Sequence, residues 1–89
     1  MMSNKMKILL VEDESICQMS IASFARRLNV DLEIAKNGLE AVEKVKNNSY
    51  NLILMDMYMP EMDGKKATQE IRSLSNGNTH CIIAMSGGK

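Results

Sequence analysis

The sequence lacks an excess of charge of either sign, because 11 lysines and arginines balance 11 aspartates and glutamates. We therefore expect no broad positive field, and no direct binding to nucleic acid. Long apolar runs are also missing. Runs such as Ile8–Val11 and Leu52–Met55 are far shorter than the roughly 20 residues of a membrane span. The first of them stops at Glu12, too soon for a signal peptide, so the sequence predicts a cytoplasmic protein with no membrane segment.

Closely spaced cysteine pairs, which would indicate a metal site, are absent as well. Cys17 and Cys81 are the only cysteines and lie far apart in the sequence. In a reducing compartment such residues stay as thiols. We expect both to be small buried apolar side chains.

Apolar segments alternate between strand-like and helix-like patterns along the chain. With 45% apolar and 25% charged residues, the composition is typical of one ordinary globular domain. Short apolar runs predict buried strands, and apolar residues at steps of three and four predict amphipathic helices. The predicted strands are Lys7–Val11, Val30–Ala35, Leu52–Met55 and Cys81–Met85. The predicted helices are Ser15–Leu28, one that begins at Asn37-Gly38, and one that carries Ala67, Ile71 and Leu74.

This alternation favours an α/β fold, a doubly wound parallel sheet with right-handed crossovers. In such sheets, functional groups gather outside the carboxyl ends of the strands. Glu12 and Asp13 follow the first strand, Asp56 follows the third, and Ser86 follows the fourth. We expect these side chains to converge at one edge of the sheet.

The three predicted carboxylates would repel one another unless a cation lay between them. An all-oxygen ligand set with open positions suits Mg²⁺. Asp56 is the candidate nucleophile, because a carboxylate beside a metal can attack a phosphoryl group and hold it as an acyl phosphate. Ser86 could donate a hydrogen bond to a phosphoryl oxygen. Taken alone, an acidic pair such as Glu12-Asp13 is usually only a solvated helix start, so the interpretation depends on the joint placement of these residues with Asp56 and Ser86.

Three segments then resemble the signatures of response regulator receiver domains, in the order of that family: Ile8-Leu9-Leu10-Val11-Glu12-Asp13-Glu14, Met55-Asp56-Met57-Tyr58-Met59-Pro60-Glu61-Met62-Asp63-Gly64, and Ile82-Ile83-Ala84-Met85-Ser86-Gly87. The resemblance implies a flavodoxin-like fold with Asp56 as the phospho-acceptor. It also implies that Asp13, Asp56 and the backbone carbonyl of Tyr58 bind Mg²⁺, that Glu12 assists, and that Ser86 is the switch hydroxyl.

Compared with the family, the sequence shows no fifth strand with its lysine and no last helices. Lys89 is not that lysine, because it lies in the loop directly after Ser86. We therefore interpret residues 1–89 as one receiver domain that is incomplete at its C-terminus. The uncovered edge of the fourth strand predicts self-association, either by pairing at that edge or by exchange of elements between two copies, with a homodimer as its simplest form. The alternative is that these 89 residues are only the ordered part of a longer chain, whose further residues would cover this edge.

Three functions remain open from the sequence. The first is a phosphorelay switch that receives its phosphoryl group from a histidine kinase or a histidine phosphotransfer protein, without being a turnover enzyme. The second is a pseudo-receiver that binds partners or dimerises without phosphorylation. The third is an aspartyl-phosphate hydrolase, although Tyr58 occupies the position at which that class has a second aspartate. The only histidine, His80, is interpreted as a loop residue rather than a phospho-donor or ligand.

Overall fold

The computed structural model describes residues 5–57, 63–74 and 81–85. Strands and helices alternate along the chain, as the sequence predicts. They are β1 (Lys7–Val11), α1 (Ser15–Leu28), β2 (Asp31–Ala35), α2 (Gly38–Asn47), β3 (Leu52–Asp56), α3 (Gly64–Arg72) and β4 (Cys81–Met85). Three predicted boundaries differ: Val30 lies outside β2, β3 extends to Asp56 rather than ending at Met55, and α3 ends at Arg72, before Leu74.

All four strands form one parallel sheet in the order β2-β1-β3-β4. Because β1 lies in the centre with β2 on one side and β3 on the other, the chain reverses its winding direction at β1. This is the doubly wound arrangement, and it confirms the predicted fold class. At the end of β3, Met55 pairs with Val11 of β1, and Asp56 pairs with Met85 of β4.

The main hydrophobic core lies between the sheet and the pair α2 and α3. Alternate residues of the central strands, Leu9, Val11, Ile53 and Met55, are fully buried there. Ile71 of α3 is buried in the same cluster. Successive strand residues point to opposite faces of the sheet. Only every second residue of β1 and β3 therefore points into this core.

The face that α1 covers is less well protected. A cavity of about 190 Å³ lies beside this helix, lined by the apolar side chains of Ile8, Ile21, Phe24, Ala25, Leu28, Val30, Leu32 and Leu54. The predicted helix forms, but most of the residues that mark its amphipathic pattern are exposed, namely Ile16, Met19, Phe24 and Leu28. Periodicity identified the helix, but not which of its sides contacts the sheet.

Strand β4 also differs from its prediction. The sequence indicates a strand buried on both faces, but Cys81, Ile83 and Ala84 are exposed. The reason is the position of β4 at the end of the sheet, with β3 as its only neighbour among the described residues. The expectation that both cysteines are buried is also wrong. Cys81 is exposed because it lies in β4, and Cys17, in α1, is only half-buried.

Helices α2 and α3 begin with side-chain caps at the edge of the sheet where the strands end. Asn37 Oδ1 accepts a hydrogen bond from the Glu40 backbone N–H at 2.8 Å, and Asp63 Oδ1 accepts one from that of Lys66 at 2.8 Å. Such caps satisfy amides that have no partner inside the helix. They define where the loops after β2 and β3 stop. In the described ranges, no helix is long and apolar enough to cross a membrane.

Candidate functional site

Two neighbouring strand ends bring three carboxylates together. Glu12 and Asp13 directly follow β1, and Asp56 is the last residue of β3. Because β1 and β3 are parallel and paired, with Val11 opposite Met55, both strands end at the same edge of the sheet. Each of the three residues offers a carboxylate oxygen, and these oxygens all lie within 4.8 Å of one another. The predicted convergence of Glu12, Asp13 and Asp56 is therefore present.

The three carboxylates differ in their exposure to solvent. Glu12 and Asp56 are each only 7% exposed, whereas Asp13 is exposed. A buried carboxylate without compensation is costly. The acidic group therefore has two buried members, Glu12 and Asp56, and one exposed member, Asp13, which a cation from solvent can reach.

Burial raises the pKa of the Glu12 carboxyl group above its usual value. The charges of Asp56 and Asp13 raise this pKa further, as does a hydrogen bond that protonated Glu12 shares with Asp56. A hydrogen bond that Glu12 Oε2 accepts from the Glu14 backbone N–H, at 3.2 Å, opposes the shift. Glu12 thus retains a proton more readily than a free glutamate, as expected for like charges in one pocket.

The backbone of Glu12 is held on both sides. Its N–H donates to the carbonyl oxygen of Ala35 at 3.0 Å, and its carbonyl oxygen accepts from Gln18 Nε2 at 2.7 Å. The first bond continues the pairing of β1 with β2, and the second ties the loop to α1. These contacts fix the acidic loop before any ligand binds.

Asp56 is positioned by the residues that follow it. The backbone N–H of Met57 donates to the Met85 carbonyl oxygen at 3.3 Å, which extends the β3–β4 pairing by one residue. Gly64, the first residue of α3, lies directly against this turn. A Cβ atom on Gly64 would lie 2.7 Å from Met57 Cα and would overlap the backbone oxygen of Asp56. Sequence reasoning included Gly64 only within the family motif and assigned it no role.

Two further predicted site residues lie outside the described residues. They are Tyr58, for its backbone carbonyl, and Ser86, for its hydroxyl. His80 and Lys89 also lie outside those ranges. The roles predicted for these residues stay predictions.

A second group of possible ligands overlaps the first and was missed by the sequence analysis. Glu12, Glu14 and Cys17 also offer atoms within 4.8 Å of one another. Cys17 Sγ lies 3.5 Å from Glu14 Oε1, and this hydrogen bond raises the pKa of the thiol. Because metals bind the thiolate rather than the thiol, this group is the weaker ligand set. The step of three from Glu14 to Cys17 across the start of α1 is the signal that could have revealed it.

A model of the response regulator receiver domain family matches residues 8–89. The chain belongs to this family. A receiver domain of a sensor histidine kinase from Pseudomonas aeruginosa, solved with magnesium in its active site cleft, has a TM-score of 0.91. It is 36% identical, and the match covers 96% of this chain and 70% of that one.

Two other similar proteins are a response regulator and a probable histidine kinase. The receiver domain of the response regulator Ssk1 from Saccharomyces cerevisiae was solved with the histidine phosphotransfer protein Ypd1. Its TM-score is 0.84 at 33% identity, over 90% of this chain and 62% of that one. Probable histidine kinase 1 of Oryza sativa is 49% identical over 83% of this chain, which spans only 8% of that protein's length.

The receiver family assignment confirms two predictions at once. The fold class is flavodoxin-like, and the chain is a receiver domain of phosphorelay signalling, so the pseudo-receiver alternative is not favoured. The chain spans a small fraction of the curated relatives it matches. The interpretation of residues 1–89 as one receiver domain that is incomplete at its C-terminus stays a prediction.

Proposed function

We propose that this receiver domain accepts a phosphoryl group on Asp56, with Mg²⁺ held by Glu12, Asp13 and Asp56. The observation that carries this proposal is the convergence of three carboxylate oxygens within 4.8 Å at two adjacent strand ends. The set contains only oxygen donors, and Mg²⁺ prefers such ligands while keeping several positions for water and phosphate. The backbone carbonyl of Tyr58 and the Ser86 hydroxyl are the additional contacts that we propose.

The proposed reaction uses Asp56 as the nucleophile. A carboxylate oxygen of Asp56 forms a bond to phosphorus while the bond between phosphorus and the imidazole nitrogen of the donor breaks, and the imidazole takes up a proton. A bound Mg²⁺ would neutralise the charge that develops on the phosphoryl oxygens. Glu12 and Asp13 orient the acceptor by sharing the same cation. The chain is thus an acceptor whose charge changes, rather than a turnover enzyme.

The partner that we propose is a histidine kinase or a histidine phosphotransfer protein. A protein donor needs a surface beside the acceptor, and the first two turns of α1 follow the acidic loop directly. Ile16 and Met19 in these turns are 78% and 70% exposed. Apolar side chains of this kind can dock a helical partner. A second copy of the chain is the other partner that we propose.

We also propose that the chain acts in the cytoplasm. Cys17 and Cys81 are both free thiols, as expected in a reducing compartment. The hydrolase alternative has less support, because Tyr58 occupies the position at which that class has a second aspartate.

Labelling of the chain tests the proposed function. Incubation with a small phosphodonor and Mg²⁺ should add one phosphoryl group, and peptide mapping should locate it on Asp56. Intact mass spectrometry, with a metal-chelated sample as the control, measures this. A chain that stays unlabelled with Mg²⁺ would favour the pseudo-receiver, and label on His80 would remove the mechanism.

The same assay with a phosphohistidine protein as donor distinguishes an effect on docking from an effect on phosphoryl transfer itself. Replacing Ile16 by serine should slow transfer from a phosphohistidine protein on the order of tenfold, the usual cost of one central interface residue. Labelling by the small phosphodonor should not change. The matched control is Leu39→Ser on α2, which is also an exposed large apolar residue. Equal slowing by both variants would contradict the assignment of the docking surface to α1.

Affinity for Mg²⁺ should rise with pH through the titration of Glu12. The raised pKa of Glu12 means that the folded chain binds this proton more tightly than the unfolded chain. The contribution of Glu12 to the free energy of unfolding is therefore lost as pH rises from its usual pKa through the raised one. Mg²⁺ requires the ionised form of Glu12. The affinity of the folded chain for Mg²⁺ should therefore rise over the same pH range in which the metal-free chain loses stability.

Replacing Glu12 by glutamine should flatten this pH dependence and weaken Mg²⁺ binding. In the metal-free chain, the same change should raise the free energy of unfolding at neutral pH, because it removes one of three repelling charges. Calorimetric Mg²⁺ titration and urea unfolding measure the two effects. Glu43→Gln, at an exposed position of α2, is the control. A Glu12→Gln variant with unchanged affinity would exclude Glu12 from the site.

A further inference from the structure

The side chain of Gln18 reaches from α1 back to the acidic loop that follows β1. Its Nε2 atom donates a hydrogen bond to the backbone carbonyl oxygen of Glu12 at 2.7 Å, across six residues of the chain. Side chains in a helix lean towards its N-terminus, and Gln18 lies one turn into α1, which begins at Ser15. A long side chain at this position therefore overlies the first turn and ends at the loop.

Helix α1 begins without the side-chain cap that α2 and α3 have. The side chain of Glu14, at the capping position of α1, accepts no such bond. The loop is tied to α1 by Gln18 instead. Its backbone N–H donates to the Glu14 carbonyl oxygen at 3.0 Å, and its side chain holds the carbonyl oxygen of Glu12. Gln18 thus bonds to the residues on both sides of Asp13.

The bond to the Glu12 carbonyl oxygen restricts where Asp13 can lie. This oxygen belongs to the planar peptide unit that joins Glu12 to Asp13. Holding it restricts the backbone rotations on either side of the unit, and these rotations determine where the Asp13 side chain starts. At 2.7 Å, the bond is shorter than those that the Glu12 and Glu14 N–H groups donate, at 3.0 Å and 3.2 Å.

Asp13 depends on its backbone more than the other two carboxylates of the site do. Glu12 and Asp56 are buried, so the atoms around them restrict their side chains. Asp13 is exposed, so packing does not restrict its carboxylate. Its position relative to the other two therefore follows from the backbone of the loop.

We infer that Gln18 is a positioning residue for the Mg²⁺ site. By holding the Glu12 carbonyl oxygen, it keeps the Asp13 carboxylate within 4.8 Å of the other two carboxylates. The inference rests on the proposed function, in which Glu12, Asp13 and Asp56 share Mg²⁺. Gln18 acts through the backbone and is not itself a ligand. Its loss should therefore weaken Mg²⁺ binding without changing the chemistry at Asp56.

Replacing Gln18 by methionine removes the donor but keeps the length of the side chain. Calorimetric titration should show an affinity for Mg²⁺ that is about three- to tenfold weaker, as expected for one lost hydrogen bond. Labelling by a small phosphodonor should need more Mg²⁺ by the same factor, but should reach the unmodified rate at saturating Mg²⁺. Gln69→Met, at an exposed position of α3, is the matched control. Equal affinities of the two variants would overturn the inference.

A double variant separates positioning from a general effect on the fold. In a chain that carries Asp13→Asn, the carboxylate that Gln18 positions is already gone. Adding Gln18→Met should then weaken Mg²⁺ binding no further. The same additional loss in both backgrounds would show a general structural role and overturn the inference. Failure of the proposed function has a different signature, because Asp13→Asn alone would then leave the affinity for Mg²⁺ unchanged, and the inference would fail with it.

NMR of the unmodified chain gives a readout that does not depend on whether the variants fold. The side-chain amide protons of Gln18 should exchange with water more slowly than those of Gln69. Their resonances should also shift as Mg²⁺ is added, whereas those of Gln69 should not. Equal exchange rates for the two side chains, with no shift at Gln18, would contradict a positioning role.

Discussion

Replacing Asp56 by asparagine is expected to abolish phosphoryl transfer to the chain. The amide is nearly isosteric with the carboxylate but carries no charge and cannot form an acyl phosphate. Labelling should fall by roughly 100-fold or more, as is usual when a nucleophile is removed. Mass spectrometry after incubation with a phosphodonor and Mg²⁺ measures the loss. The variant should remain folded, because the substitution removes one of the mutually repelling charges in a buried cluster.

The matched control is Asp63→Asn. Asp63 lies only seven residues further along the chain and caps α3 through its Oδ1 atom, a role that asparagine fills equally well. Labelling of this variant should equal that of the unmodified sequence. Label that persists in the Asp56→Asn protein would show that another residue is the acceptor.

Replacing Gly64 by alanine is expected to lower the free energy of unfolding by about 2–3 kcal/mol, within the range for overpacking of a close contact. The new Cβ would lie 2.7 Å from Met57 Cα, and backbone atoms cannot move aside as a flexible side chain can. Alanine is the better helix former by about 1 kcal/mol, but this gain does not offset the overlap. Urea unfolding followed by circular dichroism measures the change.

The same substitution should impair the function of Asp56. Either α3 or the turn after β3 has to move, and the backbone oxygen of Asp56 is part of the contact. Lys65→Ala is the control, because Lys65 is the next residue of α3 and is exposed. We expect this control to match the unmodified sequence in stability and labelling. A Gly64→Ala protein as stable as the control would mean that α3 can shift without cost.

Much of the fold could be predicted because its signals are local. The strands β1 and β4 and the helix α1 have the bounds that the sequence predicts. An apolar run that ends at Glu12, or a capping Asn37 before a helical repeat, depends only on neighbours in the chain. The acidic site was predictable by one further step, since parallel strands end at a common edge of the sheet.

Exposure could not be predicted in the same way. Ile16, Met19 and Phe24 of α1 have the spacing of a buried helix face but lie in solvent. Ile83 belongs to a wholly apolar strand and is 47% exposed. Periodicity measures the pattern of side chains on an element. It does not measure how much of the neighbouring sheet is available to cover them.

The sequence by itself determined the order of strands and helices, the acidic residues at the strand ends and the family to which the chain belongs. Those properties follow from short-range patterns and from motifs that are contiguous in the chain. Only the tertiary structure decided that Glu12 and Asp56 are buried while Asp13 is exposed, that Gly64 touches the acceptor turn, and that Ile83 of β4 is half exposed. These properties arise from contacts between residues distant in sequence, and such contacts exist only once the sheet has assembled.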